Sequence, residues 1–490
     1  MKYADRRTER IEKAVQVYFC SVMLSHRWEE NEPLLRHIQD KNVYELDPVG
    51  SITKLQSFCK TARDAGYRWA WVDTCCIDQT NNVEVQHSVN SMFEWYRLSV
   101  LTIVYLSDVP PSSKSGALAR SMWNKRGWTV QEFLAPKIVL FCQSDWSPYL
   151  DDRSPNHKTS PAIMRELGNA TGIDPLALVA FRPGMEGPRE KLQWASKRVT
   201  TRQEDVAYSL FGIFGIHLPV IYGEKKQNAL GRLLQEIIAQ SGDISCLDWL
   251  GKPSEFNSCL PAEITSYGAP PSTLSSLLSE DEIQTSVSSL RDVVDAERAS
   301  KIYQTLDSLS APLFVSRRLR LPCIVFAVTE VRRCDEDPQT HSTFIVKADG
   351  LRDLSITTED KLIQFSRARP TRQTFVLVRP WDRSLLKISD FADVPPGLPD
   401  AKSVEVWSPP LSPPYDSPTG SLGRKMLVDS ESYSRALRLI VRLGQPFSAF
   451  LLAQQWGGEY KRIASDRNIV AQIKDRASIR DTDIKTLEIL

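Results

Sequence analysis

The chain has 490 residues, 42% hydrophobic and 25% charged, a composition that excludes disorder as the main state and leaves room for two or three domains. Its 61 basic and 60 acidic residues leave a net charge of +1, so no global field draws it to nucleic acid or to an anionic membrane. No run reaches the roughly 18 to 20 uninterrupted apolar residues of a membrane span; the best, residues 14–24, is short and contains Gln16 and Ser21.

The charged start MKYADRRTERIEK lacks the apolar core of a secretory signal, which points to a cytoplasmic protein with reduced cysteines. The nine cysteines are an odd count with no C-x-x-C pair, and the six histidines are scattered singly. That pattern argues against a disulfide scaffold and against a structural metal.

In chain order, an apolar run rich in β-formers at residues 15–24 predicts a strand ending in LSHRW. Residues 51–66 follow as a helix with Ile52, Leu55, Phe58, Cys59 and Ala62 at helical spacing. WAWVDTCCI at 69–77 reads as a continuous apolar strand interrupted by Asp73, and residues 83–98 as a helix through Val85, Val89, Met92, Trp95 and Tyr96. LTIVYL at 101–106 gives a third strand, 110–116 a polar loop, 123–134 a helix and IVLFC at 138–142 a fourth strand. This alternation implies an α/β fold with a mostly parallel sheet covered on both faces by flanking helices.

Residues 145–161 read as a connection and 162–250 as a helical lobe, where TTRQED is expected to cap a helix with Thr201 at the N-cap and Glu204 three residues on. The Ser- and Pro-rich SYGAPPSTLSSLLSEDE, starting at 266, marks a linker or surface insertion. Between 311 and 407 the short runs LPCIVFAV, STFIVKA, KLIQFS and TFVLVRPW predict a β-rich carboxy-terminal domain. PPLSPPYDSPTGSLG at 409–423 is expected to be irregular, and YSRALRLIVRL to add one helix or strand. The resulting division is an α/β core at 15–160, a helical extension at 161–255, a linker or insertion at 256–310 and the β-rich domain at 311–490.

Four blocks stand in one order: LSHRW at 24–28, WVDTCCIDQ at 71–79, MWNKRGWTVQEFLAP at 122–136 and WASKRVTTRQEDVAYSLFGIFGIHLPVIYGE at 194–224. In this order they resemble the fungal heterokaryon incompatibility (HET) domain and the segment that follows it. The resemblance implies an effector of self/non-self recognition that triggers growth arrest or programmed cell death. It also implies a TIR/flavodoxin-like core, since HET domains are held to be related in fold to TIR domains, some of which cleave NAD with a glutamate on a helix after a tryptophan. NAD is then a possible substrate, and no cofactor is firmly implied.

Trp128 and Glu132 supply W-x-x-x-E, and residues four apart share a helix face. An aromatic wall beside a carboxylate suits cleavage of an N-glycosidic bond, because the ring shields the ribose while the carboxylate stabilises an oxocarbenium-like charge. The structural alternative pairs Glu132 with Arg126 or Lys125 and places Trp128 in the core beside Phe133.

LSHRW falls where the first strand should end, and open parallel sheets bind ligands beyond the carboxyl ends of their strands. Arg27 could pair with a phosphate and Ser25 add a weaker bond, or Arg27 could bridge to Asp73 or Asp78. Cys75 or Cys76 with His26 and Asp78 would make a nucleophilic triad, but an apolar strand without a neighbouring cation favours packing for both cysteines, and His26 alone is expected to be structural. Asp73 and Asp78 need partners, and Asp78 with Gln79 is expected to fix the loop or touch ligand. The expected site is therefore Glu132 as the catalytic group, with Ser25, Arg27, Trp28, Asp73, Asp78, Gln79 and Trp128 binding ligand and no metal. His217 and Tyr222 are expected to be structural. The alternative function is a non-catalytic module that signals by self-association or by binding a protein partner.

Overall fold

The computed structural model describes residues 18–271, 278–334, 342–359, 362, 365–366, 374–386, 421–475, 479 and 482–490. The chain divides into two compact units, Met1–Pro271 and Ser272–Leu490.

The first unit is built on four parallel strands, β1 (Ser21–His26), β2 (Trp69–Trp71), β3 (Leu101–Tyr105) and β4 (Val139–Cys142), in the order β2-β1-β3-β4. β1 lies inside the sheet, with Val22 opposite both Ala70 and Leu101. Both faces are covered, which is why β1 and β3 read as unbroken apolar runs rather than alternating ones. On one face Val22, Leu24, Leu101 and Ile103 pack against Leu55, Phe58 and Ala62 of α1 (Ser51–Asp64). On the other lie α2 (Asn82–Leu98) and α3 (Thr129–Leu134). The Asn81 side chain starts α2 by accepting the Val83 and Glu84 N–H groups.

Helices α4 (Pro161–Thr171), α5 (Pro175–Ala180), α6 (Pro188–Ala195), α7 (Asp205–Tyr208), α8 (Phe211–Phe214) and α9 (Lys226–Ser241) complete this unit. The first three carry Pro at their start, where its missing N–H costs nothing. The helical lobe expected after residue 162 is therefore present.

The second unit opens with α10 (Glu280–Arg291) and α11 (Ala296–Asp307). Its strands are β5 (Leu313–Val315), β6 (Arg318–Arg333), β7 (Ser342–Ala348), β8 (Leu354–Thr358), β9 (Phe365–Ser366) and β10 (Phe375–Pro380). After α12 (Ser421–Leu443) come β11 (Phe447–Ser448), β12 (Phe450–Gln454), β13 (Tyr460–Ile463), β14 (Val470–Ala471) and β15 (Asp483–Ile489). Strands β6, β10, β12, β13 and β15 pair in a closed ring, and β6 is long enough to carry β7 and β8 on its far half. The carboxy-terminal half is β-rich, as its short alternating runs predict.

Several expectations change at this level. Only Trp69–Trp71 of WAWVDTCCI is strand, because the chain turns at Asp73. The helix expected over 123–134 is a short 3-10 turn, Met122–Lys125, then an extended Arg126 and α3, so the third block is bent rather than straight. Residues 280–307 are helices, not linker: Ile283, Val287 and Leu290 at helical spacing enter the core, and Ser279 with Glu282 makes the capping box. The serines around them hid that stripe. YSRALRLIVRL is helical, within α12. Residues 15–17 of the expected first strand, half of KLIQFS and nearly all of PPLSPPYDSPTGSLG lie outside the described residues.

Candidate functional site

A pocket opens beyond the carboxyl ends of β1 and β2. It is lined by His26, Trp28, Asp73, Gln79, Met92, Arg126, Trp128, Glu132, Arg202, Asp205 and Tyr222, among others. This is where parallel sheets place ligands, because the strands point their ends at a common crevice.

Glu132 projects from α3 and is 4% exposed. The Ser25 hydroxyl donates to its Oε2 at 2.5 Å and in turn accepts the Trp123 indole N–H at 2.8 Å. Burial, reinforced by the negative charge of Asp73, pushes the Glu132 carboxyl up to about 8, while Ser25 and the charges of Arg126 and Arg198 pull the other way. No ion pair within 4 Å joins Glu132 to Arg126 or Lys125 among the described residues, so the structural pairing considered for it is absent.

Asp73 behaves in the opposite way. Burial is the largest single influence on it and raises it. The hydrogen bond and charge of His26, the Trp28 hydrogen bond and the Arg126 charge together outweigh burial and hold this carboxyl below the usual range. Its Oδ2 accepts the Trp28 indole N–H at 2.7 Å, and Oδ1 lies 3.1 Å from His26 Nε2. An ionised carboxylate can only accept, so Nε2 carries the proton and the buried Nδ1 is left without a hydrogen-bond partner, 3.8 Å from Glu32 Oε1. Glu32 is itself paired with Lys54.

A third carboxylate closes the pocket from the helical lobe. Asp205 accepts the Trp128 indole N–H and the Tyr222 hydroxyl, each at 3.0 Å, and burial raises it. The Arg202 guanidinium stacks 4.0 Å over the Tyr222 ring. The half-buried Arg126 makes no side-chain hydrogen bond or ion pair among the described residues, so its guanidinium donors are available to a ligand.

Of the expected site residues, Trp28, Asp73, Gln79, Trp128 and Glu132 come together around this pocket, and Ser25 stands behind Glu132. Arg27 and Asp78 do not. Arg27 is exposed, outside the lining, and bridges to neither aspartate; Asp78 instead accepts the Thr80 N–H and hydroxyl at 2.9 and 2.7 Å and closes its own loop. The cations that reach the pocket are Arg126 and Arg202. His26 and Tyr222, expected to be structural only, both line it.

TTRQED does not cap as expected. Glu204, not Thr201, precedes α7, and its carboxylate accepts the Gly223 N–H at 2.7 Å, so the block ties two loops together. Cys75 is buried as expected, but Cys76 is exposed. The signal for Asp205, Arg202 and Tyr222 was their presence in one quoted block, but no local periodicity says that a stretch so far along the chain returns to β1.

Among the described residues no group of three or more His, Cys, Asp or Glu side chains is placed to hold a metal ion, and no helix is long and apolar enough to cross a membrane. The sheet and its strand-end crevice define an α/β domain with clustered carboxylates beneath an aromatic wall. A family model described as heterokaryon incompatibility protein (HET) matches residues 22–118. Vegetative incompatibility protein HET-E-1 of Podospora anserina is 36% identical over 234 residues, which is 46% of this chain and 16% of that protein. The chain is thus similar to fungal HET-domain proteins over part of its length. It spans only 16% of the length of the curated relative it matches. No solved structure matches it.

Proposed function

We propose that the chain acts in heterokaryon incompatibility, the process for which the matching family and relative are named, as a cytoplasmic effector that arrests growth or kills the cell on meeting non-self. We further propose that it works by cleaving the N-glycosidic bond of NAD in the strand-end pocket, as the likeness of HET to TIR domains suggests. One observation carries this reading: a single aromatic-walled crevice holds a carboxylate kept ionised, Asp73, beside a carboxyl pushed up to about 8, Glu132. Paired acids whose surroundings drive them apart are a common way to divide chemical roles.

In this reaction the bond from ribose C1′ to the pyridinium nitrogen breaks and nicotinamide leaves with the electron pair. Water then adds its oxygen to C1′ and releases a proton. Nicotinamide leaves neutral, so no acid is needed; the step needs negative charge beside the developing oxocarbenium ion. Asp73, fixed by His26 and Trp28, supplies a standing charge. Glu132 releases its proton to solvent water when the pyridinium cation arrives, because a nearby positive charge favours the ionised carboxylate. Trp128 and Trp28 shield the ribose.

The test is nicotinamide release from NAD by the full chain. Glu132→Gln keeps the shape and the Ser25 hydrogen bond but cannot ionise, and is expected to lower the rate by roughly 100- to 1,000-fold. A variant as active as the natural chain removes Glu132 from the chemistry.

A second reading, signalling by association with another copy of this chain, is favoured by a different observation. Phe19, 62% exposed, stacks on Trp69, 48% exposed, at the open edge strand β2, with Tyr18 edge-on to both. Aromatic surface at an unpaired strand edge suits protein contact. Toxicity without nicotinamide release, rising with self-association, would select this reading.

A further inference from the structure

Arg126 is held firmly by its backbone and not at all by its side chain. Its N–H donates to the Trp123 carbonyl at 3.2 Å, and its carbonyl accepts Nη1 of the buried Arg198 at 2.9 Å. On either side of it the Val199 N–H donates to the Lys125 carbonyl at 2.7 Å, and the Gly127 N–H to the Val199 carbonyl at 2.9 Å. The Arg126 guanidinium lines the strand-end pocket, within electrostatic reach of both Asp73 and Glu132.

Arg202 reaches the same pocket from the segment ahead of α7. Its flat face stacks 4.0 Å over the Tyr222 ring, a posture that leaves the N–H donors along its edge free for an anion. It makes no side-chain hydrogen bond or ion pair among the described residues. Asp205 close by has both oxygens engaged, one by the Trp128 indole and one by the Tyr222 hydroxyl.

We propose that Arg126 and Arg202 form an anion subsite for the 5′-phosphate of a nicotinamide nucleotide, so that the pocket acts on nucleotides and rejects the nucleoside. This rests on the reading of the pocket as the place where the ribosyl bond breaks. In such a nucleotide C5′ and its phosphate lie across the ring oxygen from C1′. With C1′ beside Asp73 and Glu132, the phosphate falls one ribose's breadth away, where a cation within electrostatic reach of both carboxylates can meet it.

Charge supplies the selection. An unmatched Arg126 opposes entry of the pyridinium cation, whereas a phosphate neutralises it and adds charge-assisted hydrogen bonds. Nicotinamide riboside brings the pyridinium without the phosphate, so it leaves two like charges facing each other. Because the Arg126 backbone is already fixed, binding orders little that is not ordered beforehand.

The test uses the full chain. Calorimetry with ADP-ribose, which keeps both phosphates and lacks the pyridinium, reads the subsite without turnover. Arg126→Gln and Arg202→Gln should each weaken its binding roughly tenfold, the usual scale of one charge-assisted hydrogen bond. Arg126→Lys should recover part of that loss, since it restores the charge without the fork, and Lys125→Gln, at an exposed neighbour outside the pocket, should change nothing. Arg202 is exposed and Arg126 has no side-chain bond to lose, so the variants should melt with the natural chain. In kcat/KM for nicotinamide release, the mononucleotide should exceed the riboside roughly 100-fold, the product of two such bonds, and Arg126→Gln should shrink that ratio about tenfold. ADP-ribose binding that is absent, or unchanged in both Gln variants, overturns the subsite even where nicotinamide is released. Equal cleavage of mononucleotide and riboside overturns the selection. Binding that weakens as expected in a chain releasing no nicotinamide supports the anion subsite and overturns the reaction alone.

Discussion

Glu132 pays for its position in stability, and the sign of that cost is fixed by its proton. Its carboxyl titrates near 8 in the folded chain, against about 4.3 for an unperturbed glutamate. The folded state therefore binds the proton more tightly than the unfolded state between these pH values, and stability falls as pH rises across that window. Below pH 4 both states are protonated and the contribution is fully present; above 8 it is lost. Glu132→Gln removes the titration, so the variant should gain on the natural chain as pH rises from 5 to 8. At about 1.4 kcal/mol per pH unit the gain across this window has an upper bound of about 4 kcal/mol. The linked charge of Asp73 draws the measured value below that limit. Urea unfolding of both proteins at pH 5, 6, 7 and 8 checks it; a difference that stays flat across the series means that the Glu132 proton is not linked to folding.

The helices of the lobe reach the pocket only because they pack closely on the sheet's second layer, and one glycine marks the closest approach. A Cβ at Gly212 in α8 would lie 2.2 Å from the Phe93 Cβ of α2 and 2.9 Å from Gln131 Oε1 of α3. Gly212→Ala should cost about 1 to 3 kcal/mol or more, since a packed interior resists added volume. Gly168→Ala in α4, with its nearest neighbour at 3.4 Å, should be neutral or gain about 0.5 to 1 kcal/mol from helix propensity. Thermal melting of the pair decides it: equal effects would deny that α8 is seated against α2. What could be read from sequence follows the same division. β1, β3, β4, α1 and α2 were legible because each is a local pattern, with a buried strand or an apolar stripe at helical spacing. The bend at Arg126 was not, because Trp123 and Phe133 are both apolar and the intervening break is forced by the Ser121 cap and by the Gly127 N–H, which donates to the Val199 carbonyl at 2.9 Å. Glu132 and Trp128 were singled out through the resemblance to TIR-type sites, which W-x-x-x-E matches. Arg126 and Arg202 were passed over in favour of Arg27, since sequence places a cation near a strand end without saying which way it faces.

At the scale of the whole molecule, the first unit ends at Pro271, and the last twenty residues of that unit hold it together. Arg189 of α6 donates to the carbonyls of Asp248, Tyr267 and Ala269 at 2.6, 3.1 and 2.6 Å. The Tyr267 hydroxyl donates to the Cys246 carbonyl at 2.7 Å, and the Trp249 indole donates to the Cys259 carbonyl at the same distance. Phe256 covers α9 at Gly231, where a Cβ would approach its ring to 2.4 Å. A fragment cut at 250 loses two of the three acceptors of a buried guanidinium and bares the apolar surface beneath Tyr267 and Phe256. Orphaned polar groups cost about 1 to 3 kcal/mol each, and an emptied aromatic site about 3 to 5, which together approach the whole stability of an ordinary domain. Residues 1–271 should therefore melt in one cooperative transition, while residues 1–250 should not. On the proposed function, expression of 1–271 in a fungal cell should arrest growth, and expression of 272–490 should not, because the pocket lies wholly within the first unit. A 1–250 fragment that melts as sharply as 1–271 would show that the segment after Gly251 is dispensable to the fold. Growth arrest by 272–490 and not by 1–271 would move the effector out of the first unit altogether.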